Sequence, residues 1–246
     1  MNSGLYAATA GLIARTEALD VAANNLANAS TVGFKAQREF YRALAAELRR
    51  TPQSNPLGRA INNFGVLGGA NLDFRQGTFE RTANELDFAL DGPGFFAVQT
   101  AAGLRATRNG NFHLDANNRL VTADGDAVLG DSGPLEIPSG PLSVGEDGTL
   151  SVRGAVAGQL RIVDADSAAI VQEGKSLFSI PASALRPVTG ARVRQGMLES
   201  SNMNPVAGAV GLIAIQRQAE MLQRALSIFH NDFNRAAAED LPRVVG

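Results

Sequence analysis

Two carboxylates, Asp87 and Asp91, have a spacing that invites a chemical interpretation, because they stand four residues apart. Paired carboxylates act as acid and base in glycoside hydrolysis, where their separation sets the outcome. The residues between them look extended and apolar and lead into the turn Gly92-Pro93-Gly94, which argues against a catalytic pair. This turn also lacks the Lys-Ser/Thr ending of a phosphate-binding loop and leads into another apolar run.

Further acidic residues lie in glycine-containing segments, where calcium is the metal to consider. A helix-loop-helix calcium site needs ligands at alternating positions, a central glycine and a late glutamate. Neither Asp124-Gly125-Asp126 nor Glu146-Asp147-Gly148 continues in that way. Aspartate is favoured in tight turns because its side chain bonds the backbone two residues on. We therefore predict turns at both places.

The remaining reactive side chains do not form a catalytic group. His113 and His230 lie in unrelated segments without a second metal ligand at a useful spacing. The chain has no cysteine, which excludes disulfides, thiol catalysis and cysteine-based metal sites. No serine lies in a G-x-S-x-G turn. We predict that the protein is not an enzyme and has no catalytic residue, no metal site and no cofactor.

Charge and hydropathy limit the partners that this protein can have. The 246 residues carry a formal net charge of -2, which does not favour nucleic acid. The N-terminus lacks a basic leader followed by an apolar core, so we expect no cleaved signal peptide. No apolar run approaches the roughly 20 residues that span a bilayer, so we expect no stable membrane insertion.

The N-terminal segment has a narrow apolar stripe at helical spacing. Leucine recurs every seven residues, and alanines lie on the same side, although Arg15 interrupts the series. This spacing predicts a helix that packs against a partner helix. The leucines of this stripe are Leu5, Leu12, Leu19 and Leu26.

The C-terminal segment has a stricter stripe, in which apolar residues alternate by three and four after Pro205. Proline is tolerated at the start of a helix. A stripe this narrow suits a partner helix better than a broad globular core, although two ordinary core helices are the alternative. The large side chains of this stripe are Leu212, Ile215, Leu222, Leu226, Phe229 and Phe233.

Between these helices, turn signals separate short apolar or alternating runs, which is typical of strands joined by hairpins. We predict an α+β protein. Its N- and C-terminal helices form a coiled-coil-like layer, and its central all-β domain has short antiparallel strands. The expected divisions are residues 1–35 for the first helix and its turn, 36–70 for a transition segment, 71–196 for the β domain, and 197–246 for the last helix and tail.

The transition segment has weaker signals. Residues 40–50 are compatible with a continuing helix. Residues 51–56 and 62–69 are loop-like, because they contain proline, glycine and asparagine.

One local motif is far more specific, the run NNLANASTVGFK at residues 24–35. Asparagines can bond carbonyl groups that a helix end leaves free, and Gly33 permits a turn that other residues resist. Phe34 can then fold back toward the helix. The run closely resembles the signature of the bacterial flagellar axial proteins, the rod and hook family. Its residues here are Asn25, Asn28, Thr31, Gly33, Phe34 and Lys35.

The resemblance continues along nearly the whole chain. Gln76-Gly77, Thr82 and the segments 87–98, 107–112 and 120–130 are similar to the central part of the family. Residues 195–206, QGMLESSNMNPV, resemble its entry into the C-terminal helix, and Gln216-Arg217 falls where the family often has the same pair. The length and single β domain resemble a rod protein, and the proximal-rod type is favoured over the distal-rod type.

This resemblance implies a structural subunit of the flagellar basal-body rod, the drive shaft that crosses the periplasm and transmits torque. It implies export without a cleaved signal through the flagellar type III apparatus. The implied partners are other rod proteins and copies of the same chain. The residues alone leave two alternatives open, namely a secreted oligomeric module with a ligand-binding β domain, and a hydrolase that uses the Asp87 region.

Overall fold

A computed structural model describes residues 2–42, 66–174, 176–188 and 190–240. Two long helices lie at its ends, α1 (Asn2–Ala27) and α2 (Pro205–Asp240). The strands between them pair antiparallel throughout the registers that the structure describes. The α+β class predicted from the sequence is confirmed, and so is the start of the last helix at Pro205.

The chain contacts divide into two units. Unit 1 comprises residues 1–26, 37–71 and 205–246, and unit 2 comprises residues 27–36 and 72–204. This division groups the segment that follows α1 with the strands of unit 2.

Unit 1 holds both helices and a two-stranded sheet of β1 (Gln37–Arg42) and β2 (Val66–Leu72). The helices touch in this unit, because a Leu222 methyl group lies 3.6 Å from the point where a Cβ on Gly11 would be. A glycine on α1 therefore lets the leucine of α2 approach its backbone. No helix in the described part of the chain is both long enough and apolar enough to cross a bilayer.

The two strands of unit 1 correct part of the sequence prediction. The suggested helix was wrong for residues 40–42, which belong to β1, while residues 43–50 lie outside the described residues. The suggested loop was wrong for residues 66–69, which belong to β2. Pairing between the two strands outweighs the weak strand preference of a Gly-Gly pair, a tertiary effect that local composition does not reveal. Residues 51–56 and 62–65 lie outside the described residues.

The largest sheet of unit 2 follows the order β15-β16-β6-β5-β9-β8-β7, with β10 on β9, β14 on β5 and β17 on β14. Two short 3-10 turns, Ser167–Ala169 and Ala182–Ala184, connect its later strands. Its strands are β5 (Phe95–Thr100), β6 (Gly103–Thr107), β7 (Phe112–Leu114), β8 (Leu120–Thr122), β9 (Ala127–Gly130), β10 (Gly133–Pro134), β14 (Ile162–Asp164), β15 (Val171–Glu173), β16 (Leu177–Ser179) and β17 (Arg186–Pro187).

Three smaller sheets complete unit 2. One has the order β11-β12-β13, and the other two pair β4 with β18 and β3 with β19. Strands far apart in the chain thus meet near residues 79–91 and 192–199. The strands are β3 (Phe79–Arg81), β4 (Phe88–Asp91), β11 (Leu142–Val144), β12 (Thr149–Val152), β13 (Ala155–Gln159), β18 (Arg192–Gln195) and β19 (Met197–Glu199).

Strand β5 is apolar over four successive residues because both of its faces are buried. Successive side chains of a strand point to opposite faces of the sheet. Phe96 and Val98 enter one apolar cluster, while Phe95 and Ala97 enter a second. Both faces of β5 are therefore buried, and the run FFAV fits this position because neither face meets water.

Gly110 marks a close crossing of two segments in this core. A Cβ at Gly110 would lie 1.7 Å from the Phe88 carbonyl oxygen, and the Phe88 N–H donates to the Gly110 oxygen at 3.0 Å. No side chain fits at that distance, so the crossing depends on the missing Cβ.

We predict that Gly110→Ala lowers the free energy of unfolding of unit 2 by at least about 2–3 kcal/mol, because the backbones must separate. Urea denaturation followed by circular dichroism measures this loss. Gly211→Ala is the matched control, since its Cβ meets nothing within 4 Å on α2 and helix propensity favours alanine. Equal stability of the two variants would contradict the close crossing.

Candidate functional site

The signature turn reaches its partners at a meeting point of three segments that are distant in the sequence. We name this point the junction and define it as residues 33–36, 73–77 and 199–202, all within unit 2. The first segment follows α1, the second precedes β3, and the third joins the end of β19 to α2. The junction therefore brings together both routes by which the chain enters and leaves the β unit.

Gly33 lets the first segment approach the others. Its φ is +68°, a left-handed conformation that favours glycine, as the sequence predicted. A Cβ at this position would also lie 2.4 Å from the Arg108 carbonyl carbon and the Asn109 nitrogen. The Gly33 N–H donates to the Glu199 carbonyl oxygen at 2.7 Å. Conformation and close packing thus both require glycine here.

Lys35 and Glu199 form a buried ion pair at the centre of the junction. The Lys35 Nζ donates to Glu199 Oε1 at 2.6 Å, and the two side chains are 1% and 0% exposed. The same Nζ donates to the Arg75 carbonyl oxygen at 2.9 Å, and the Gly77 N–H donates to Glu199 Oε1 at 2.8 Å. The Glu199 carboxylate therefore bonds groups from both of the other segments.

Arg108 supplies the second cation. Its Nη1 donates to Glu199 Oε2 at 3.3 Å and to the Leu90 oxygen at 3.2 Å, and its Nη2 donates to the Gly92 oxygen at 2.7 Å. The guanidinium also lies over the Phe95 ring, 5.3 Å from the centroid. Its Nε is buried and has no hydrogen-bond partner within the described residues.

Burial sets the electrostatics of this cluster. Loss of hydration lowers the pKa of Lys35 below its ordinary value, and the Glu199 charge and hydrogen bond oppose that shift. Burial also lowers the pKa of Arg108, again opposed by Glu199. Glu199 thus compensates the charge of two buried cations. Its removal leaves both of them without an anion in direct contact.

Backbone bonds extend the junction beyond the charges. The Asn202 Nδ2 donates to the Asp73 oxygen at 2.6 Å, and the Ala36 N–H donates to Asn202 Oδ1 at 2.9 Å. The Asp73 N–H donates to the Ala36 oxygen at 2.8 Å. One asparagine side chain therefore pairs with both of the other segments.

The remaining signature residues lie around this turn. Asn25 bonds both backbone groups of Gln37. Its Nδ2 donates to the Gln37 oxygen at 2.8 Å, and its Oδ1 accepts the Gln37 N–H at 2.9 Å. The sequence had suggested that the asparagines bond carbonyls freed at the helix end, but Asn25 instead anchors the first residue of β1. The Thr31 hydroxyl donates to Asn28 Oδ1 at 3.2 Å, and Phe34 is fully buried.

The stripe residues of α1 border its buried face. Gly11, Ala14, Ala18 and Asn25 are buried, and Leu12, Leu19 and Leu26 beside them are half-buried. The side chain of Leu5 lies outside the described residues. Small residues thus lie at the centre of the buried face of α1, and leucines lie at the edges of that face.

On α2 the stripe residues share one face. Gly208 and Ala219 are buried on that face, and the large residues between them are half-buried. The side chains of Phe229 and Phe233 lie outside the described residues. The half-buried members are Leu212, Ile215, Leu222 and Leu226.

The residues first considered for chemistry have structural partners. Asp87 is buried, and its Oδ1 accepts the side-chain amides of Asn84 and Asn111 at 3.1 and 2.8 Å. Asp147 Oδ1 accepts the Thr149 N–H at 3.0 Å, which lowers the pKa of Asp147 and confirms the predicted turn. No group of three or more His, Asp or Glu side chains within the described ranges could hold a metal.

A cleft of 390 Å³ lies beside Arg108 in unit 2, and it combines an aromatic wall with polar groups. Phe74 and Phe95 form the apolar side, while Asp164 brings a carboxylate that faces the guanidinium charge. The opposite charges balance, so the cleft has no excess of one sign with which to attract an ion.

Two charged residues of the junction went unrecognised in the sequence, the Glu199 that pairs with Lys35 and the Arg108 that also pairs with Glu199. Arg108 and Glu199 lie inside segments that resemble the rod and hook family, but no spacing links them to residue 35, because Lys35 and Glu199 are 164 positions apart. The available signal was a single charged residue in each of two otherwise uncharged motifs, TRNGNF and GMLESSN.

A helix at each end of the chain, a β unit between them in the sequence and a glycine-bearing turn after the first helix define an axial subunit of the rod and hook class. Three family descriptions match the chain: flagella basal body rod protein at residues 5–35, flagellar hook protein FlgE/F/G D1 domain at 89–152, and flagellar basal body rod FlgEFG protein C-terminal at 194–238.

Whole-chain comparisons agree. The chain is 33% identical to the flagellar basal-body rod protein FlgF of Caulobacter vibrioides, over 99% of this chain and 100% of the relative. It is 33% identical to FlgF of Escherichia coli, over 96% and 97%, and 30% identical to FlgG of Borreliella burgdorferi, over 94% and 96%. The chain therefore belongs to the flagellar basal-body rod proteins, of the proximal type, and is a structural rod subunit.

We predict that Glu199→Ala lowers the free energy of unfolding by about 3–5 kcal/mol, because it leaves two buried cations unpaired. Glu173→Ala is the matched control. Its carboxylate also lies 2.6 Å from a cation, Arg105, but it is 45% exposed. An exposed pair contributes less than about 1 kcal/mol. Urea titration of both variants tests the difference, and equal losses would refute the role of burial.

Proposed function

We propose that the subunit works without catalysis, by packing its terminal helices into a coiled-coil-like layer with copies of itself and with other rod proteins. The supporting observation is a second apolar stripe on α2, which is exposed in the single chain. Eight large apolar side chains are exposed among the described residues, and five of them lie on this helix. They are Val206, Val210, Ile213, Met221 and Ile228.

The position of this second stripe supports a neighbour on that side. At about 100° per residue, the exposed stripe is centred roughly 180° from the face that contains Leu212 and Leu222. A helix that is apolar on opposite faces is stable only when both are covered. Within the chain, Leu222 lies against Gly11 of α1, so the other face is available to a second subunit.

Assembly through these faces suits a rod subunit that transmits torque in the basal body. A narrow stripe is marginal on an isolated helix, because most helical stability comes from tertiary packing. We propose that the terminal helices become fully stable only in the rod, and that the chain passes through the flagellar type III export apparatus without inserting stably into the membrane. The resemblance to exported axial proteins supports this route.

We predict that Ile213→Asp blocks incorporation into the rod and leaves the isolated chain folded. Ile213 is 52% exposed, so the charge stays hydrated in the monomer but would be buried against a neighbour at a cost of several kcal/mol. Complementation of a strain that lacks this subunit, scored by swimming and by isolated basal bodies, measures incorporation. Circular dichroism of the monomer checks its fold.

Gln218→Asp is the matched control, because Gln218 is exposed on α2 and lies on neither stripe. It should assemble normally. Leu222→Asp should also block assembly, but with loss of helix in the monomer, because its side chain is half-buried. Normal swimming and intact rods with Ile213→Asp would contradict the proposed helix layer.

A further inference from the structure

The junction joins the two ends of the β unit in parallel. The Gly33 N–H bonds the Glu199 oxygen at 2.7 Å, and three positions further along each segment the Ala36 N–H bonds Asn202 Oδ1 at 2.9 Å. Residue numbers rise in the same direction along both segments. The Lys35–Glu199 ion pair, at 2.6 Å, links the same two segments.

This direction decides how the bonds would carry tension. Force from α1 reaches the junction at the Gly33 end of the first segment. Force from α2 reaches it at the Asn202 end of the other segment. The two forces therefore act at opposite ends of a parallel pair, which places the bonds in shear and loads them together. Pulling from the same end would instead open them one after another.

The chain between the three junction segments lies outside this load path. It leaves the junction after Ala36 and returns at Asp73, whose N–H bonds the Ala36 oxygen at 2.8 Å. The strands between Gly77 and Glu199 are closed in the same way, by the Gly77 N–H on Glu199 Oε1 at 2.8 Å. Tension can therefore pass from one helix to the other without crossing the sheets.

We propose that the junction is a mechanical clamp, which carries load between the terminal helices and shields the β unit from it. This inference rests on the proposed function, in which the helices transmit torque through the rod. Burial of Lys35 and Glu199 suits the task, because water cannot enter to replace their bond as the segments begin to slide. A low local dielectric also strengthens the pair.

Single-molecule pulling on the full-length chain tests the clamp. The chain has no cysteine, so handles can be attached uniquely through Ser30→Cys and Val206→Cys, which lie outside the junction on either side. A second pair, Ala116→Cys and Val171→Cys, applies force within the β unit and avoids the junction. All four positions are exposed. At constant force, the rate of rupture reports the barrier to forced unfolding.

Lys35→Met should raise the rupture rate on the order of tenfold or more between positions 30 and 206, the effect of one lost charge-assisted bond. Between positions 116 and 171 the rate should change less than about threefold. Arg105→Met, which breaks the partly exposed pair with Glu173, should leave the first geometry unchanged. If Lys35→Met folds poorly, Asn202→Ala removes the acceptor of Ala36 and should give the same selective effect.

Equal acceleration in both geometries would show that Lys35 contributes only to general stability and would overturn the clamp. An unchanged rate between positions 30 and 206 would overturn it as well. Neither measurement requires assembly, so the result is independent of the rod experiment. Normal assembly of Ile213→Asp would reject the helix layer and leave the clamp intact, whereas loss of selectivity would reject the clamp alone.

Discussion

The structure depends on one buried carboxylate. Glu199 accepts hydrogen bonds from Lys35, Gly77 and Arg108, which come from three distant parts of the chain. A charge removed from water is tolerated only when it is paired and its lone pairs are occupied. The need to compensate Glu199 therefore requires the signature turn, the approach to β3 and the loop before β7 to meet at one place. That meeting point fixes where the chain enters and leaves the β unit.

The two units differ in how far their own residues cover their apolar surface. Unit 2 buries Phe88, Phe95, Phe96, Phe112 and Phe178 in its two apolar clusters, and its charged junction is closed by its own residues. The helix α2 of unit 1 covers one apolar face and leaves the opposite face exposed. The β unit thus closes its own core, whereas the last helix has an apolar face that nothing in the described chain covers.

Periodic and turn-forming patterns made much of the fold predictable from the sequence. The helices at both ends, the strands near residues 95–98 and 177–180, and the left-handed Gly33 all follow from local rules. The short sheet of β1 and β2 was missed, because its strands find each other across residues that carry no strand signal. The Lys35–Glu199 pair was missed for a related reason, since no local pattern encodes a contact across 164 positions.

An apolar junction would have been simpler to build, and burying ions is seldom the most stable solution. The charges instead select one register of the three segments. A shifted register would leave Lys35 or Glu199 buried without its partner, whereas apolar side chains could slide past one another. Gly33 contributes as well, since a Cβ at this position would collide with the Arg108 backbone and shift the first segment. The signature turn therefore sets the register in which the three segments of the junction meet.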